Sequence, residues 1–202
     1  MSDQLCTTAD VKARIPIADA NDDALISDLI DGVSDWIEDA TGRKLVPVAA
    51  TTYTLDSTYG SVIAVRIGVR AVSMVEIATG DQPDTGGTYT TFTGSVLLRP
   101  TAIDRRVGWP ATEIWLGGLV PQLRTAINGV RVTGDWGFAT VPPAIKQLAV
   151  DAVVSAYQTR GKPSSSTLGA EGYAVFPWAT FFSPGSPAAR TVARYRGIFG
   201  IA

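Results

Sequence analysis

The hydrophobic period of this chain changes twice, and that change constrains its fold more than any single motif. Residues 141–161 carry a helical period with both ends marked. Pro142 and Pro143 suit a first turn, whose N–H groups have no helical acceptor in any case. Ile145, Leu148, Ala149, Ala152, Val153, Ala156 and Tyr157 recur at three- and four-residue spacing, which gathers them on one face. Arg160 complements the dipole at the last turn, and Gly161 is a suitable stop. Residues 22–41 repeat the pattern. Asn21 or Asp22 is the cap, and Gly42 ends the helix before Arg43 and Lys44. Its apolar stripe is Leu25, Ile26, Leu29, Ile30, Val33, Trp36, Ile37 and Ala40. A short capped helix over 7–15 precedes it and stops before Pro16.

Between 46 and 138 the period is that of strands. The runs 51–55, 62–67, 72–77, 88–92, 96–99, 112–116 and 129–133 are β-branched, aromatic and often alternating. Turn residues separate them, including Asp56 with Ser57, Gly117 with Gly118, and Asn128 with Gly129. The expected class is α+β: a small helical bundle with an inserted antiparallel β domain and an extended C-terminal arm. The expected boundaries are 1–45 for the N-terminal bundle helices, 46–138 for the β domain, 139–161 for the long bundle helix and 162–202 for the arm. A short basic helix is expected within 186–199. A chain of 202 residues is long enough to bury a core of this kind.

The chain has no histidine, which removes the commonest general base and the commonest metal ligand. Its one cysteine, Cys6, rules out an internal disulfide and reads as a small half-buried residue. No phosphate-binding loop, dinucleotide fingerprint or nucleophile elbow is present. The chain is therefore not expected to be an enzyme, and no cofactor or metal is expected. No apolar run reaches membrane-spanning length, so no membrane partner is expected. Residues 1–20 lack a signal-peptide pattern, and synthesis in a cytoplasm is expected. A different class stays open on the β domain, an accessory enzyme or a carbohydrate-binding module, in which Trp109, Trp115 and Trp136 would stack on sugars.

Charge is unevenly spread. Residues 1–42 hold ten acids against Lys12 and Arg14, a balance of −8. Residues 160–202 hold five bases against Glu171, a balance of +4. Such asymmetry points to self-association or a protein partner. Asp28, Asp31 and Asp35 share a helix face opposite the apolar stripe. They read either as a solvated face or as a surface meeting passing DNA or a neighbour's arginines. Tyr173, Phe176, Trp178, Phe181 and Phe182 are too apolar for a solvated linker and must pack, on this chain's body or on neighbouring chains. Near the end, Arg190, Arg194, Tyr195, Arg196, Ile198 and Phe199 suit docking into a protein groove better than nucleic-acid binding.

Several segments, in this order, resemble the head-to-tail connector proteins of long-tailed bacteriophages, also called adaptor or head-completion proteins. They are Thr8 to Arg14, Asp22 to Ile30, Trp36 to Arg43, Arg131 to Phe138, Val141 to Gln147 and Tyr157 to Arg160. Arg106 to Pro110 and Ala188 to Arg196 add to the likeness. The stretches 46–128 and 168–187 have no clear counterpart in the shortest members. The resemblance implies a structural virion protein of the neck, made in the host cytoplasm. It implies a homo-oligomeric ring of twelve copies that binds the portal protein, extends the DNA channel and carries a stopper or tail-completion protein. It implies contact with passing genomic DNA without sequence-specific binding. The C-terminal set from Arg190 to Phe199 would then dock on the portal. A stopper or tail-completion role is the alternative within the same neck.

Overall fold

The computed structural model describes residues 4–15, 20–57, 60–79, 88–101, 108–117, 126–159 and 181–196. The chain divides into two compact units. One combines Met1–Thr41 with Val141–Ala202, and the other is Gly42–Thr140. The class is α+β, as expected.

The first unit is helical. Helix α1, Thr8–Lys12, opens with a capping box: Thr7 Oγ1 accepts from the Asp10 N–H while the Asp10 carboxylate accepts from the Thr7 N–H. Helix α2 is Asp23–Thr41 and helix α3 is Pro143–Thr159. They run antiparallel: the hydroxyl of Tyr157, near the end of α3, donates to Asp22 at the start of α2. All seven residues expected on the inner face of α3 are buried. On α2 the stripe is narrower than expected. Ile26, Ile30, Val33 and Ile37 are buried, but Leu25 is exposed and Leu29 and Trp36 are half-buried. Ser34, on the other side of Ile30 and Ile37, is buried instead. Its buried hydroxyl accepts from the Leu5 N–H at 3.1 Å, which a hydrophobic period cannot register.

Cys6 is fully buried rather than half-buried. Burial, with Asp10 second, pushes its thiol from 9.0 to about 11 against the opposing effect of Lys146, so it is a packing residue and not a nucleophile.

Asp10 joins α1 to α3. Lys146 Nζ lies 2.8 Å from it. This bond, then those from the Thr7 hydroxyl and N–H, lower its carboxyl from 3.8 to about 2. The folded state therefore holds this carboxylate ionised where the unfolded chain takes up a proton. Its contribution is fully present above the unfolded value and is lost as pH falls through about 2. Thr7→Ala is expected to cost about 1 kcal/mol, and Asp10→Asn is expected to flatten acid unfolding below pH 4. Urea midpoints across pH 2–6 check both; an unchanged acid limb in Asp10→Asn would discard this assignment.

The second unit is a six-stranded antiparallel sheet. The strands are β1 Val48–Ser57, β2 Val62–Thr79, β3 Thr88–Thr91, β4 Ser95–Arg99, β5 Ala111–Gly117 and β6 Ala126–Trp136. Their order is β1-β6-β2-β5-β4, with β3 paired to the end of β2. Two expected strands, 62–67 and 72–77, are one long strand. Gly68 (φ +84°) lies against Pro110 where the register shifts, so β2 bends there, leaving β5 for β6 without breaking. The expected turn at Asn128 and Gly129 is also inside a strand. Asn128 takes φ 55° as a bulge in β6, and its N–H donates to Asp56 Oδ1 on β1 at 2.9 Å. The core centres on Trp136, Ile63, Val65, Ile114, Val130 and Val132.

Candidate assembly interface

Two charged surfaces lie in the helical unit. Helix α2 places Asp28, Asp31 and Asp35 on one face because 3 and 7 residues span nearly whole turns. Asp28 and Asp35 are exposed. Asp31 is half-buried and accepts from Gln4 Nε2 at 2.9 Å, so part of its charge is used inside the chain.

Helix α4, Pro187–Tyr195, begins where Ser186 Oγ accepts from the Ala189 N–H at 3.1 Å and Pro187 fixes the first turn. Ala188 and Val192 are buried, and Arg190 and Arg194 are exposed. Arg196 Nε donates to the Ala40 carbonyl at 3.0 Å. Helix α2 has no basic residue in its own last turn, so Arg196 supplies the cation that its carbonyl end favours. Tyr195 is half-buried. Of the six residues expected to dock, Arg190, Arg194 and Arg196 are exposed, and Arg196 is also engaged on α2. Ile198 and Phe199 lie outside the described residues.

Phe182, expected to pack with Phe181 on this chain's body or on a neighbour, has a partner within its own chain. It stacks on Trp36 at 4.1 Å, and Phe181 meets it edge-on at 5.1 Å. Trp36 is half-buried on α2, and this contact covers part of its ring. Tyr173, Phe176 and Trp178 lie outside the described residues.

The three tryptophans considered for sugar stacking do not form a platform. Trp136 is fully buried, and its Nε1 donates to the Thr51 carbonyl at 2.7 Å. Trp115 donates to Glu113 at 2.8 Å and lies under Arg99 at 4.3 Å. Trp109 packs edge-on with Phe138 at 5.4 Å. Among the described residues no group of three or more Asp, Glu, Cys or His side chains is placed to hold a metal ion.

Arg43 is the feature that sequence reading passed over. In the sequence it simply follows the helix stop at Gly42, but it is 6% exposed. Its Cζ lies 5.5 Å from the Trp109 ring centroid, and burial disfavours its charged form, lowering its pKa. No sequence signal separates a buried from a solvated arginine at this position.

Residues 7–66 match the family described as phage gp6-like head-tail connector protein. That match spans α1, α2, β1 and the first residues of β2. No curated protein matches. Among solved structures, the chain is similar to a chain in the neck of the native GTA particle computed with C12 symmetry. The TM-score is 0.53 and the identity 18%, covering 95% of this chain and 88% of that one. A chain from the neck of the empty GTA particle computed with C6 symmetry gives 0.52 and 18%, covering 91% and 82%. One from the virion of the native gene transfer agent particle gives 0.50 and 17%, covering 92% and 82%. This likeness in fold extends over the β region that the sequence resemblance left without a counterpart. The resemblance read from the sequence therefore stands: the chain carries the gp6-like head-tail connector pattern over residues 7–66, on the fold of GTA neck chains.

Proposed function

We propose that the protein is a structural subunit of a virion neck, an adaptor that assembles as a ring at the capsid–tail junction and performs no catalysis. The observation that carries this reading is the connector match over 7–66, which coincides with the helices that open the bundle. In the finer reading, twelve copies bind the portal, extend the DNA channel and offer a platform to a stopper or tail-completion protein. The symmetric necks that contain its structural relatives support a ring. Polarised charge supports contacts between unlike faces of neighbouring copies, because a closed ring of identical chains needs two different patches on each.

Mixing the protein with portal rings from the same genome, viewed by negative-stain electron microscopy, tests the portal-binding role. A collar on the tail-facing end is expected, and its symmetry counts the copies. Bare portals would place the protein further down the neck. Removing 186–202 is not a clean test of docking, since Ala188, Val192 and Arg196 also hold the bundle. Arg190→Glu with Arg194→Glu is the better variant. Its collar should be lost while its melting temperature stays within a few degrees of the parent.

The acidic face has a separate test. Asp28→Asn with Asp35→Asn should leave the subunit's stability within about 0.5 kcal/mol, because both side chains are exposed. Ring assembly should weaken about tenfold or more. Unaltered assembly by analytical ultracentrifugation would return both residues to the solvated face.

A further inference from the structure

Arg43 is almost sealed from solvent, yet its Nε and Nη1 have no hydrogen-bond acceptor. No carboxylate forms an ion pair with it among the described residues. What faces it is the Trp109 ring, which provides no acceptor for an N–H in the guanidinium plane. A charged fork is seldom kept buried and unpaired, because nothing then offsets its desolvation. The backbone on both sides is open. A Cβ added to Gly42, beside Arg43, or to Gly108, beside Trp109, would meet no atom within 4 Å. Trp109 is itself only half-buried. The fork is therefore covered by a ring that is itself partly exposed, between two exposed glycines.

We propose that Arg43 is a carboxylate socket filled by a second copy of this chain, through Asp28 or Asp35 of the neighbour's α2. The inference rests on the ring reading above and names the contact that closes the ring. A carboxylate matches the guanidinium fork in shape and charge, taking two parallel N–H bonds. Asp28 and Asp35 are exposed and have no partner among the described residues. Asp31 is the weaker candidate, because the Gln4 amide already occupies it. Residues 1–42, with a balance of −8, supply the negative patch, and the positive group stands immediately after them.

The test uses the full chain. Arg43→Met keeps the length and the apolar contact with Trp109 but removes the charge. In the isolated subunit it should leave the melting temperature unchanged or raise it, since an unpaired buried charge is gone. Ring assembly, on portals or at high concentration, should need about tenfold more protein or worse. In Arg43→Lys, a zero-length carbodiimide crosslinker applied to mixed isotope-labelled and unlabelled chains should join position 43 of one chain to position 28 or 35 of another. Rings of Arg43→Met that form at wild-type concentration, together with Arg43→Lys crosslinks confined to single chains, overturn the socket and leave the ring intact. Failure of the wild-type protein to form any ring removes both readings.

Discussion

Replacing Trp136 by alanine is expected to cost the β unit about 3–5 kcal/mol, a large share of the 5–15 kcal/mol typical of a folded domain. Trp136 is the largest fully buried side chain in the described structure. Its removal leaves a cavity between β6, β1 and β2, and it orphans the Thr51 carbonyl that its indole N–H satisfies at 2.7 Å. The edge contact with Tyr53, at a centroid distance of 4.9 Å, is lost as well. Urea unfolding followed by far-ultraviolet circular dichroism measures the change. Trp136→Phe should recover most of the packing but not the hydrogen bond, placing it about 1–2 kcal/mol below wild type. A loss under 1 kcal/mol for Trp136→Ala would mean that the ring does not hold the sheet together.

The second large effect is on α2. Ile30→Asp puts a carboxylate where nothing pairs with it, among Ile26, Val33 and Ile37 on the buried face. The lost side chain alone is worth about 2–5 kcal/mol, and the unpaired polar group adds to that. The helical unit should be largely unfolded at room temperature. Leu25→Asp is the control. The sequence stripe treats Leu25 and Ile30 alike, but Leu25 is exposed, so the same substitution should change stability by less than about 1 kcal/mol. Equal losses at the two positions would show that Leu25 is buried in solution and that the narrower stripe is incorrect.

The contrast between Leu25 and Ile30 shows where sequence reading reaches its limit. A helical period fixes which residues share a face, but the width of the buried part depends on what packs there. On α3 that width was read in full, because Ala149, Ala152 and Ala156 leave little to misjudge. On α2 the buried face turns away from Leu25 toward Ser34, whose hydroxyl accepts from the Leu5 N–H. The strands were legible from β-branched alternation, but continuity was not. Gly68 reads as a break in a local window and acts as a bend in a strand whose two halves have different partners. Asn128 reads as a turn and is a bulge, because its N–H is taken by Asp56 from a strand 72 residues away.

The candidate interface divides in the same way. Exposed charge at helical spacing, as at Asp28 and Asp35 or Arg190 and Arg194, was visible in the sequence because it follows from local geometry alone. The engagement of Arg196 on the Ala40 carbonyl, the stacking of Phe182 on Trp36 and the burial of Arg43 beside Trp109 were not. Each joins residues far apart in the chain, and no local window contains both partners. The sequence by itself determined the class of the chain, its helices and strands, its polarised charge and its family resemblance, since all of these are short-range patterns. Only the tertiary structure decided which charged groups remain free to meet another chain, because that depends on which are already bonded and desolvated within this one.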